Sequence, residues 1–109
     1  MKRQYPIIIT VRDRVTDLQS LLSWLENVGQ REIWLCDNAS TYPPTVKFLA
    51  ETRHRVVYNH HNLGHRAPWL SGLVAELGAE RPFVVTDPDV VPSSTCPDDA
   101  LDYFADTLR

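Results

Sequence analysis

Apolar residues come in short bursts along this chain, and the spacing inside each burst alternates between two kinds. "PIIITV", Pro6 to Val11, is a nearly continuous β-branched run, the pattern of a strand buried on both faces. Further on, Leu18, Leu21, Leu22, Leu25 and Val28 fall on one face of a helix. Thr16 and Gln19 have capping-box spacing at its start, and Gly29 is a stop signal at its end. "EIWLC", Glu32 to Cys36, reads as a second strand, followed by the turn residues "DNAST". "PPTVKFLAET" predicts a short helix with proline in its first turn. "RVVYN", Arg55 to Asn59, is a third strand and "HNLGHR" a loop. Pro68 can open a third helix, with Leu70, Leu73, Val74 and Leu77 as its stripe before Gly78. "PFVVT" is a fourth strand. "CPDDALDYFADTL" predicts a closing helix with Pro97, Asp98 and Asp99 at its positive end.

Strands that alternate with amphipathic helices predict a parallel sheet covered on both faces. The expectation is one α/β domain over residues 1–109, a Rossmann-like three-layer α/β/α arrangement with about four mainly parallel strands. In the doubly wound order 3-2-1-4 the winding reverses between strands 1 and 4, and ligands sit outside the carboxyl ends at that point. "TVRDR" after strand 1 and "TDPDVVP" after strand 4 would meet there, with "DNAS" nearby.

Composition narrows the function classes. A share of 43% hydrophobic and 23% charged residues is that of an ordinary globular chain. A net charge of -3 without a basic stripe argues against a nucleic-acid binder. The apolar run after "MKRQY" is too short for a membrane span or a signal-peptide core, so a soluble cytoplasmic protein is expected. Cys36 and Cys96 form no paired-ligand motif, and Cys36 reads as a small buried hydrophobe. His54, His60, His61 and His65 lack metal-site spacing and read as polar loop residues. Trp24, Trp34 and Trp69 read as packing residues.

Two carboxylates, Asp87 and Asp89, close the fourth strand one residue apart. Their charges repel, and a hard cation such as Mg2+ or Mn2+ would relieve that repulsion while holding a diphosphate. The alternative is an exposed Asp-Pro turn that stops a strand. Asp37, at the end of strand 2, either accepts hydrogen bonds from a ribose or base or forms an Asx turn with Asn38. Neither GxGxxG nor GxxxxGK[ST] occurs, so bound phosphates would need a metal and arginines. Arg66, in the glycine loop before the third helix, suits an anionic ligand; the alternative is an ordinary turn.

Four segments in this order resemble the N-terminal half of a family 2 glycosyltransferase of the GT-A fold: "PIIITVRDRVTDLQSLLSWL", "IWLCDNAST", "VVYNHHNLGHRAPWLSGL" and "FVVTDPDVVP". The resemblance spans nearly the whole chain. It implies that Thr10 and Arg12 lie at the nucleobase and that Asp37 binds base or ribose. It implies Asp87 at the ribose or in the metal's shell, and Asp89 on Mn2+ or Mg2+ bridging the donor diphosphate. The implied activity is inverting transfer of a sugar from a UDP- or GDP-sugar to an unknown acceptor. Arg12-Asp13 stand where the family usually has tyrosine-asparagine, and Arg66 lies one place from the family's third-loop arginine. No residue matches the family's general base, which lies well downstream of the DxD pair. The expectation is therefore a piece of a longer transferase without activity alone. Two alternatives remain. One is a non-catalytic module that binds a nucleotide-sugar or a partner, with strand 4 as an exposed edge open to a second copy. The other is a receiver-like signalling domain, which would need an aspartate after strand 3 where Tyr58-Asn59 stands.

Overall fold

The computed structural model describes residues 3–77, 82–90 and 99–107. Four strands, β1 (Ile7–Val11), β2 (Ile33–Asp37), β3 (Arg55–Tyr58) and β4 (Val84–Thr86), form one sheet in the order β3-β2-β1-β4. Every pairing is parallel, with Ile7 opposite Ile33 and Val84, and Trp34 opposite Arg55. The fold is the Rossmann-like arrangement the pattern predicts, with the winding reversed between β1 and β4.

Helices cover both faces, and period-2 alternation along the strands decides which side chain faces which. Ile7, Ile9 and Val11 of β1 point with Ile33 and Leu35 of β2 toward α1 (Val15–Asn27), α2 (Pro43–Glu51) and α5 (Ala100–Thr107). Ile8, Trp34, Cys36 and Val85 point to the other face, against α3 (Ala67–Leu70) and α4 (Leu73–Leu77). All five residues of β1 are buried, as a central parallel strand requires. No described helix is long and apolar enough to cross a membrane.

The first helix buries Leu18, Leu21, Leu22 and Leu25, but its predicted capping box does not form. Arg14 is the N-cap residue, without a side-chain capping bond, and Thr16 already lies in the first turn. The helix needs no such cap: each buried leucine is worth about 1.5–3 kcal/mol, against about 1 kcal/mol for a capping bond. At the other end the Gly29 stop holds. With φ at 87°, Gly29 lets its N–H reach the Glu26 carbonyl and that of Gln30 reach Leu25.

The third predicted helix is broken. A 3₁₀ turn (Gly64–Arg66) leads into α3, and Gly72 at φ 88° separates α3 from α4. The break rotates the two halves out of register, so Leu70 leaves the predicted stripe and is 63% exposed while Leu73 is buried. Trp69 is likewise exposed, contrary to its reading as a packing residue, whereas Trp24 and Trp34 pack on the two cores. Cys36 is fully buried, as expected. Gly78, Cys96, Pro97 and Asp98 lie outside the described residues.

Candidate functional site

Carboxyl ends of parallel strands leave their last backbone groups unpaired, and here the loops turn inward to satisfy them. The Asn38 N–H donates to the Val11 carbonyl at 2.8 Å, and the Asn59 N–H to the Asp37 carbonyl at 2.9 Å, extending the ladder past β2. Asn38 then becomes a hub, buried to 2% exposure. Its Nδ2 donates to the Gly64 carbonyl at 3.0 Å, and its Oδ1 accepts from the Asn59 amide and the Leu63 N–H. Its own carbonyl accepts from an Arg12 guanidinium nitrogen at 2.8 Å. One residue, through its side chain and its carbonyl, thus ties the loop after β1, the end of β2 and the loop after β3 together.

The loop after β1 is fixed from a second side. Asp13 adopts a left-handed conformation (φ 60°) that aspartate tolerates better than most residues. Its N–H donates to Ser40 Oγ at 3.0 Å, and its Oδ1 accepts from the N–H groups of Thr41 and Tyr42 at 2.7 and 2.8 Å. Tyr42 is the N-cap residue of α2 and Thr41 the residue before it, so Asp13 caps the entry to that helix from a distant loop.

Between these loops lies a cleft of about 310 Å³ at the point where the winding reverses. Thr10, Arg12 and Arg14 line it from β1 and its loop, and Asp87, Pro88 and Asp89 from the β4 side. Asn38, Asn62, Gly64 and His65 complete the wall. The "DPDV" segment, Asp87 to Val90, is a turn, with the Val90 N–H on the Asp87 carbonyl at 3.3 Å and Pro88 in its second position. It is also the mouth of the cleft: Pro88 is buried while Asp87 and Asp89 are exposed.

Thr10, Arg12, Asp87 and Asp89 are therefore brought to one place. Asp37 and Arg66 are not among the cleft's lining residues. Asp37 is 4% exposed and accepts the Ser40 N–H at 3.3 Å, the turn that its neighbours allowed. Arg66 is exposed, and its neighbour His65 reaches the cleft instead. Arg14, Asn38, Asn62 and His65 join the site without having been singled out as ligand contacts in the sequence.

The charges in the cleft are mixed. Arg14 lies 3.6 Å from Asp89 and 3.6 Å from Asp17, so a guanidinium is the cation beside the second carboxylate of the pair. Two carboxylate donors suit Mg2+ or Mn2+, which keep several waters and take further oxygens from substrate phosphates. Among the described residues no group of three or more His, Cys, Asp or Glu side chains forms a self-sufficient metal cage. The donor set thus fits a cation shared with a ligand. Compared with known proteins, the chain matches no family model, no curated protein and no solved structure.

Proposed function

We propose that the cleft binds a nucleoside diphosphate sugar through a divalent cation on Asp87 and Asp89, as the donor site of an inverting glycosyltransferase. The observation that carries this reading is the convergence of Thr10 and Arg12 with Asp87 and Asp89 at the carboxyl edge of β1 and β4, where an open α/β sheet takes its ligands. Without a glycine-rich phosphate loop, the arginines and the carboxylate-held cation are the groups available to a diphosphate. A bound Mg2+ or Mn2+ would supply Lewis-acid stabilisation of the departing diphosphate. Arg12, anchored on the Asn38 carbonyl, orients the nucleoside end. Arg14, once released from Asp89, adds a charge-assisted hydrogen-bond donor at the phosphates. Asn38 holds the Leu63–Gly64 backbone against the opposite wall. Donor binding is the step these residues carry.

The Arg14–Asp89 pair supports a second reading, in which the arginine itself serves as counter-ion and a nucleotide binds without metal and without catalysis. Calorimetric titration with UDP and GDP, each with Mn2+ and with chelator, separates the two. Donor binding predicts metal-dependent affinity that Asp89→Ala abolishes while the fold survives. Binding that persists in chelator supports the second reading. A folded protein that binds neither nucleotide overturns both.

A further inference from the structure

The cleft is not the largest hollow of the molecule. One of about 800 Å³ lies at the opposite end of the sheet, where β2 and β3 begin. We propose that it is a second binding site, for a small multiply charged anion carrying phosphate or carboxylate groups. The inference does not depend on what the first cleft binds.

Its walls hold three arginines, Arg31, Arg53 and Arg55, against one carboxylate, Glu32. That is three of the eleven Lys and Arg residues in a chain whose net charge is -3, so the local sign opposes the global one. The pairing of Trp34 with Arg55 runs the segments 31–33 and 53–55 side by side and sets the guanidinium-bearing positions on both rims. Of the other described arginines, Arg3, Arg12 and Arg14 each have a carboxylate partner and Arg66 has none. Among the described residues Arg31 and Arg53 have none. The Arg55 guanidinium lies 4.9 Å from the Trp34 ring centre, a cation–π contact that consumes no N–H donor. Like charges gathered without partners repel, and a bound anion would remove that repulsion.

The rim is built rather than incidental. Gln4 donates from Nε2 to the Gly29 carbonyl at 2.7 Å and accepts the Arg31 N–H on Oε1 at 2.8 Å. The buried Gln30 next to it donates to the Arg3 carbonyl and accepts the Tyr5 N–H. These bonds fix the backbone that presents Arg31, lowering the cost of ordering it on binding. Planar guanidinium forks match phosphate and carboxylate oxygens in pairs. The volume lies in the range of small-molecule sites, about 300–1,000 Å³. A five-residue strand separates this end from the first cleft by roughly 13 Å, so one small ligand cannot serve both.

The test is calorimetric titration with pyrophosphate and with citrate, in chelator to silence metal-dependent binding and at about 0.15 M salt to screen loose surface attraction. Saturable binding to one site is expected, with Arg31→Gln and Arg53→Gln each weakening it about tenfold or more through lost charge-assisted hydrogen bonds. Lys47→Gln removes the same charge from the exposed face of α2 and should leave the affinity unchanged. Preference for pyrophosphate identifies phosphate chemistry, and preference for citrate identifies carboxylate chemistry. In the unaltered protein, amide NMR shifts on addition of the anion should centre on Arg31, Ile33 and Arg55. No saturable binding of either anion, equal weakening by Lys47→Gln, or shifts centred on Asp87 and Asp89 would overturn the proposal.

Discussion

Arg14 in the loop after β1 and Asp89 in the loop after β4 form an ion pair at 3.6 Å across the mouth of the cleft. The pair answers the problem posed by two adjacent carboxylates with a cation already present in the chain. Both side chains are half exposed or more, at 61% and 50%, so the contact is screened and worth about 0.2–1 kcal/mol. A divalent ion competing for Asp89 must displace that contact. Arg14→Gln should therefore tighten Mn2+ binding in the absence of nucleotide by up to about fivefold, the upper end of the same energy expressed as an equilibrium constant. It should weaken nucleoside diphosphate binding in the presence of Mn2+, because a donor at the phosphates is lost. Titration of free Mn2+ by electron paramagnetic resonance reads the first effect. Unchanged Mn2+ affinity would show that arginine and metal do not compete.

Asp13 spans two elements that the sequence keeps 28 residues apart, accepting the Thr41 N–H at the start of α2. Asp13→Ala removes that cap and places a Cβ-bearing residue without a local hydrogen bond at φ 60°, so a loss of about 2 kcal/mol is expected. Asp13→Gly relieves the backbone but still loses the cap, and should cost less than Asp13→Ala. Asp13→Asn keeps an acceptor and should cost least. Urea unfolding midpoints of the three variants give the order, and a different order would mean that the carboxylate does not cap α2.

The Asn38 side chain holds the loop after β3 to the end of β2, and Gly64, Asn59 and Leu63 are each left short of a hydrogen bond without it. Asn38→Ala is expected to destabilise by about 1–3 kcal/mol, the range for unsatisfied buried polar groups. Asn38→Asp is worse, because the Nδ2 donor facing the Gly64 carbonyl becomes a second acceptor. Urea unfolding measures the stability. Hydrogen exchange should show faster opening at Leu63 and Gly64 in Asn38→Ala, and slow exchange there would show that the loop is held by something else.

The fold was legible because its signals are local and repeated. β-branched runs and a leucine stripe at helical spacing mark β1 and α1 whatever else the chain does, and Gly29 marks a helix end by its own conformational freedom. The strand order followed from right-handed crossovers rather than from any residue. What was not legible depends on partners distant in sequence. Gly72 reads in a linear string as a tolerated helix glycine, and only packing of Ala67 and Leu73 against β1 and β2 makes it a break. The cap at Thr16 was a valid local pattern overridden by burial of the leucines beyond it. At the site, Thr10, Arg12, Asp87 and Asp89 could be placed because they follow strands whose ends must meet. Asn38 could not be assigned its role, since an asparagine after a strand looks like turn chemistry until Gly64 and Arg12 are seen around it. The pairing of Arg14 was hidden for a related reason: "TVRDR" brings it to the meeting point, but nothing in the sequence selects Asp89, 75 positions away, as its partner.

At the far end of the sheet, Tyr5 ties the start of the chain to α5. Its hydroxyl donates to Asp102, while Arg3 approaches Asp102 at 3.6 Å and Asp106 at 3.1 Å. Burial, and then the hydrogen bond to the Asp102 carboxylate, push the Tyr5 phenol up to about 12 from an ordinary value of 10.0. The folded protein therefore holds the phenolic proton more tightly than the unfolded chain does. The resulting stabilisation is complete below pH 10 and disappears as pH rises through 10 toward 12, because the unfolded phenol ionises first. Tyr5→Phe lacks both the proton and the bond, so near neutral pH it should be less stable than the parent by about 0.5–1.5 kcal/mol. That gap should narrow between pH 10 and 12, with the parent losing stability and Tyr5→Phe losing less. Urea midpoints of both proteins at pH 8, 10 and 11.5 test this, with ultraviolet absorbance following phenol ionisation. A gap that stays constant to pH 11.5 would show that Tyr5 ionises alike in the folded and unfolded chains and that its bond to Asp102 does not hold α5 in place.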